Sequence, residues 1–177
     1  MTEREFEAVA EAHYSSLYRF ALGLTREESE ARDLTHQTFY IWAAKGWQIK
    51  DSAKVRSWLI TTLHREFLGR QRRAKRFPHV EISSVEHDLP DVTPATVERM
   101  DSEAVMKALL EVDETYRAPL LLFYFEDFSY KQIAEALGVP TGTVMSRLAR
   151  GKEMLRRLLT ETAADRQNTN GSAIAGR

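Results

Sequence analysis

Apolar residues recur every three or four positions along most of the chain, and the places where this rhythm lapses mark off its elements. Over 3–24 the stripe runs through Phe6, Val9, Tyr14, Leu17 and Ala21, an amphipathic helix that Gly23 and Thr25 are expected to close. A second helix is predicted over 25–44. Ala31, Leu34, Thr38, Ile41 and Trp42 form its inner face, Thr25 or Glu27 lies near its capping position, and Asp33, Gln37 and Tyr40 share the other face. The period fails around Gly46 and Asp51, so 45–54 reads as a loop. A third long helix follows over Val55–Arg76, built on Trp58, Leu59, Leu63 and Phe67.

Beyond it, 77–94 carries Pro78, Pro90 and Pro94 among Glu81, Glu86, Asp88 and Asp91 with no sustained period, which predicts a linker. A helix over about 96–112 comes next, then a break at 113–117 and a helix opening at Pro119, whose fixed backbone suits a first turn. Residues 120–125 are apolar all round and are expected to form the buried centre of a second domain. After Thr160 the sequence becomes small and polar, and disorder is expected there. The pattern as a whole predicts an all-α protein of two small helical domains joined by a flexible linker, with no strand-like alternation and no internal repeat.

The most informative stretch is 128–159. Ile133, Ala134 and Leu137 keep helical spacing up to Gly138, a residue that ends helices cheaply in a left-handed conformation. A second helix begins after Pro140, with Thr141 or Thr143 as its cap, Val144 and Leu148 facing inward, and Leu155, Leu158 and Leu159 continuing the stripe. Small Ala134 sits where two crossing helices come close, and Val139 plugs the turn, which together make a helix-turn-helix pattern in the C-terminal domain. The outer face of the second helix carries Ser146, Arg147, Arg150, Lys152, Arg156 and Arg157 against Glu153. A solvated bundle helix would tolerate that face. A major groove suits it better, because base edges accept hydrogen bonds from Arg and Ser while phosphates attract the remaining cations.

Charge supports this only when taken by region. The net charge of the 177 residues is -1, yet 56–76 holds seven Lys or Arg against Glu66, and 81–114 holds ten acids against Arg99 and Lys107. Zero cysteines exclude disulfides, thiol catalysis and cysteine-bound zinc, and the five histidines are scattered without metal-ligand spacing. No cofactor, metal or small-molecule substrate is expected. Neither a GxSxG turn nor a phosphate-binding glycine loop is present, so the chain is not expected to be an enzyme. With no membrane span and no leader pattern, it is expected to be cytoplasmic and not inserted in a membrane.

Three segments, DLTHQTFYIWA (33–43), RSWLITTLHREFLGRQRR (56–73) and FSYKQIAEALGVPTGTVMSRLARGK (128–152), in this order and around a linker of this length, closely resemble a bacterial RNA polymerase sigma factor. The likeness is to the extracytoplasmic-function (ECF) type, which has only the second and fourth sigma domains. It implies a domain over 1–77 that binds core RNA polymerase and melts the -10 element, an acidic linker over 78–95, a -35-reading domain over 96–160 and a tail over 161–177. Asp33, Gln37 and Phe39 match the segment that docks on polymerase. Trp58, Arg65, Phe67, Arg70, Arg72 and Arg73 lie in the segment that holds the melted -10 strand, and 46–54 matches a loop that captures a flipped base. Thr143, Ser146, Arg147, Arg150 and Lys152 fall where the family contacts the -35 element. Promoter DNA and a restraining anti-sigma factor complete the implied partners. The chain departs from the family at Leu63, His64 and Arg65, at Met145, where a polar or basic residue is frequent, and at Gly151 inside the recognition helix. The rival expectation is a dimeric helix-turn-helix repressor or activator, which would bind a palindrome.

Overall fold

A computed structural model of the chain describes residues 2–76 and 100–172, with 100–104 and 161–172 as backbone alone. Among these residues the protein is helical throughout. Three helices, α1 (Glu3–Thr25), α2 (Glu28–Lys45) and α3 (Val55–Arg76), precede four more, α4 (Met100–Glu111), α5 (Glu114–Tyr124), α6 (Tyr130–Leu137) and α7 (Thr141–Ser172). The expected linker at 77–94 and the last five residues of the expected tail, 173–177, lie outside the described residues.

Local chemistry explains where the helices start and stop. Thr2 and Glu5 form a reciprocal capping box at the head of α1, and the helix ends on Arg26 in a left-handed conformation (φ 64°), whose N–H donates to Leu22 O. Gly23 is therefore not the terminator that the sequence suggests. It is buried inside α1 where Leu121 of α5 presses so closely that a methyl group on Gly23 would overlap the leucine. Glu27 caps α2 by accepting from the N–H groups of Ser29 and Glu30, and two short 3₁₀ turns, Gly46–Gln48 and Ser52–Lys54, take up the expected loop. The predicted break at 113–117 is instead a cap. Asp113 accepts from Thr115 N–H, α5 opens at Glu114, and Pro119 lies within the helix, which tolerates one missing bond.

At α7 neither Thr141 nor Thr143 is the cap; the Pro140 carbonyl accepts from the N–H groups of Thr143 and Val144, so Thr143 already belongs to the helix. The helix runs on to Ser172, past Thr160, where the sequence led us to expect order to end. Ala163, Ala164, Arg166 and Gln167 are good helix formers and favour the extension.

In the first domain Leu17, Phe20, Leu34, Phe39, Leu59 and Leu63 are buried between α1, α2 and α3; in the second Leu109, Leu120, Leu122, Ile133, Val144 and Leu148 fill the space among α4 to α7. Of the apolar run 120–125, Leu120, Leu121 and Leu122 are buried as expected, whereas Phe123 and Phe125 are half-buried and Tyr124 is 50% exposed, and the neighbours of α5 come from both domains. Leu121 meets Gly23 of α1, while Leu120 meets α7 at Gly151, where an added Cβ would lie 2.9 Å from Leu120 Cδ1 and 3.2 Å from Tyr116 Cβ. The glycine that looks like a flaw in α7 is thus a point of close helix approach.

Polar groups join the same domains. Arg117, fully buried, donates from Nη1 to the carbonyls of Leu110 and Val112 at 3.0 Å each and from Nη2 to Leu24 O at 3.3 Å; Arg26 Nη2 reaches Val112 O at 3.1 Å. These are helix C-terminal carbonyls, which lack intrahelical partners and favour cations. Burial lowers the Arg117 pKa to about 10, with the neighbouring Arg26 adding to the effect, so the guanidinium keeps its charge at neutral pH.

Candidate nucleic-acid interface

Helix α6 is fixed at both ends, by Ser129 and Gln132 in a reciprocal capping box and by Gly138 in the left-handed region (φ 66°), where only glycine sits without strain. Val144 and Leu148 of α7 are buried against it. Their burial sets the rotation of the recognition helix and leaves Thr141, Gly142, Met145, Ser146, Ala149 and Arg150 facing outward.

The five predicted -35 residues therefore separate. Ser146 and Arg150 are exposed on the outward face, whereas Thr143 and Arg147 are half-buried on its flank. Lys152 is engaged elsewhere: its ammonium lies 4.6 Å above the Phe123 ring and 5.8 Å from that of Tyr124, a cation–π anchorage on α5. Ser146 Oγ donates to Thr143 O at 3.0 Å, and Arg156 pairs with Glu153 at 2.8 Å. Arg150 has no partner among the described residues. Met145, which the sequence marks only as a departure, is 54% exposed on this face.

On α3, Arg65, Arg72 and Arg73 are exposed, and Arg70 donates to the backbone carbonyl of Asp33 at 3.3 Å, tying the basic end of the helix to α2. The predicted aromatics point inward. Phe67 is buried because Leu59, Leu63 and Phe67 succeed one another at four-residue spacing on one stripe. Trp58 is half-buried and packs edge-on against Trp42, with ring centroids 5.3 Å apart. An exposed aromatic nearby is Trp47, 65% exposed on the turn after α2, its indole N–H held by Ala44 O at 3.1 Å. An aromatic residue directly after Gly46, where the helical period fails, was the sequence signal for it.

On α2, Asp33 is exposed and Gln37 half-exposed. Phe39 is fully buried, edge-on to Phe6 and stacked with Tyr14 at a centroid distance of 6.1 Å, so it belongs to the core. Tyr40, 64% exposed, completes the outward face at helical spacing from Gln37.

The two basic regions are not independent, because α6 packs on α3 and α5 on α1. Glu126, 1% exposed in the second domain, accepts from Arg56 Nη2 at 2.6 Å and Nε at 3.2 Å and from Ser16 Oγ, and its Oε1 faces Arg19 at 3.8 Å. The Arg56 guanidinium also lies 5.4 Å over the Phe128 ring. Arg147 lies close enough to His64 to help lower the pKa of that histidine to about 4, although burial is the larger cause. Neither Glu126 nor its partners carries a periodic signal that would reveal the contact in sequence.

A helix-turn-helix whose outward Arg150 has no partner among the described residues, packed onto a helix that ends in exposed arginines, is an arrangement suited to a DNA-binding protein. Residues 9–77 match the family model described as Sigma-70 region 2, and 102–155 that described as Sigma-70, region 4. The ECF RNA polymerase sigma factor SigL of Mycobacterium tuberculosis is 31% identical over 90% of this chain and 91% of its own length. The RNA polymerase sigma factor YlaC of Bacillus subtilis is 27% identical over 85% and 89%. Among solved structures, the sigma factor RpoE in complex with the anti-sigma factor NepR from Bartonella quintana superposes with a TM-score of 0.70 at 27% identity, covering 89% of this chain and 98% of that one. The chain belongs to the ECF sigma factors of bacterial RNA polymerase and directs promoter-specific initiation of transcription.

Proposed function

We propose that the chain acts as a single copy on core RNA polymerase, with separate surfaces for polymerase, the -10 element and the -35 element. Asp33, Gln37 and Tyr40 on α2 form the polymerase-docking face. Arg65, Arg70, Arg72 and Arg73 hold the phosphates of the opened -10 strand, with Trp47 as a stacking surface beside them. Ser146 and Arg150 read base edges at -35, and Arg147 contributes a flanking phosphate contact. The domain over 1–77 and that over 96–160 are the units that carry these roles.

The observation that carries this reading is the segregation of side chains on α3 and α7. Both bury their apolar stripe and turn cations outward, at two places that the chain joins through 77–99. As a transcription initiation factor the chain supplies promoter contacts, and catalysis is assigned to the polymerase. No helix among the described residues is long and apolar enough to cross a membrane, and the site of action is the cytoplasm, where polymerase works. The Bartonella RpoE structure holds an anti-sigma factor, and its likeness to this chain supports restraint by a similar partner here.

Co-purification with core polymerase, followed by transcription from randomised promoters, tests the proposal. Two separated motifs, each lost with one domain, are expected. A single palindrome bound by the free protein would replace the proposal with a dimeric helix-turn-helix repressor or activator.

A further inference from the structure

The outward face of α7 contains one side chain that a purely polar reading of the groove leaves without a role. Met145 stands between the exposed Thr141 and Ala149, one residue from Ser146 and within two turns of Arg150, 54% exposed on the flank of the outward face beside buried Val144 and Leu148. Single exposed apolar residues are common on protein surfaces, so exposure alone assigns nothing. Position does, because any duplex that offers base edges to Ser146 and Arg150 also covers Met145 and Ala149.

A major groove presents one protruding apolar group, the C5-methyl group of thymine; its other recognition groups are hydrogen-bond donors or acceptors. A thioether is a weak acceptor and no donor, so it gains little from guanine, adenine or cytosine. It is also unbranched and polarizable, which lets it follow a methyl group without demanding a single geometry. We propose that Met145 is a specificity residue of the -35 reading, packing its thioether on the methyl group of a thymine next to the base read by Arg150, with Ala149 extending the apolar contact. The inference rests on the assignment of α7 to the -35 element and adds to it the base class that the element must contain.

The test uses holoenzyme assembled from core polymerase and the full chain. A -35 library first locates the thymines that support transcription, and each is then replaced in turn by deoxyuridine, which lacks only the methyl group. One replacement should lower promoter affinity about fourfold, the share of one buried methyl group. Met145→Ala should lose a similar factor on the thymine promoter and become indifferent to the replacement, while Met145→Leu keeps the discrimination. Because the side chain is exposed, both variants should melt as wild type does.

Tolerance of deoxyuridine at every -35 thymine, or a Met145→Ala holoenzyme that still distinguishes the two bases, would overturn the inference. So would a -35 preference without thymine, or an equal loss by Met145→Ala on all sequences, which would place Met145 against protein or phosphate. If transcription ignored the -35 sequence altogether, the assignment of α7 itself would fall, an outcome separate from the others.

Discussion

His64 is an ionisable group held where water scarcely reaches it, on the side of α3 that approaches Arg147. Burial first, and the Arg147 charge second, lower its pKa from 6.5 to about 4. The unfolded chain therefore binds this proton at a pH where the folded chain does not. The stability is complete above pH 6.5 and is lost as pH falls from there towards 4, which amounts to about 2 kcal/mol between pH 7 and pH 5. His36 and His13 are shifted downward too, chiefly by burial, so the measurement is a difference: urea melts of wild type and His64→Gln at both pH values. An identical pH dependence in the two proteins would show that His64 is not the group responsible. Arg150 supplies a second residue-scale expectation. Arg150→Ala should relax base preference at one or two -35 positions, at about 1–3 kcal/mol each, whereas Arg147→Ala should weaken all -35 variants alike; a -35 library transcribed by each holoenzyme separates the two.

At the scale of elements, the basic end of α3 should act through phosphates. Arg72 and Arg73 are exposed and Arg70 spends one donor on Asp33 O, so triple substitution by Ala should flatten the salt dependence of promoter binding. Each lost phosphate contact removes about 0.7 to 0.9 from the log–log slope. An unchanged slope with an altered base preference would assign the cluster to base reading instead. On α2, Asp33→Lys with Gln37→Lys should reduce recovery of core polymerase in a pull-down, and equal recovery would remove that face from the docking surface.

Helix existence was legible in sequence because burial follows period, and α3 occupies the span that its apolar stripe predicts. What escaped was information that period does not carry. Pro119 looks like a helix start until Asp113 is seen to cap six residues earlier, and Phe67 and Phe39 look like functional aromatics until their stripe is seen to face the core. Met145 shares its polar neighbours' face because Val144 and Leu148 fix the rotation of α7, a fact available from spacing and masked only by residue type.

For the whole molecule, the sequence predicts two domains free to separate, and the structure packs them together. Glu126 brings a nearly inaccessible carboxylate to Ser16, Arg19 and Arg56, none of them near it in sequence. Removing one partner of such a set costs more than removing the set, because a stranded buried charge has no water to return to. Arg56→Ala, which leaves Glu126 with Ser16 and the more distant Arg19, should therefore destabilise the protein by about 3 kcal/mol. Glu126→Gln, which leaves only half-exposed arginines, should cost less. Urea unfolding gives the order, and small-angle scattering should show the second variant more extended than wild type; the reverse order would mean that Ser16 and Arg19 suffice for Glu126.

Gly23 leads to a different kind of experiment on the same closure. Inside a helix, glycine sacrifices about 1 kcal/mol relative to alanine, so α1 on its own would gain from Gly23→Ala. The intact protein would not, because the new methyl group meets Leu121 and wedges α1 from α5. That wedge carries no charge, and ionic strength should leave its effect unchanged, whereas the effect of Glu126→Gln should shrink as salt screens the arginines that are left. Comparing the two variants across a salt series therefore separates shape from charge as the means by which a sigma factor keeps its two DNA-reading halves together.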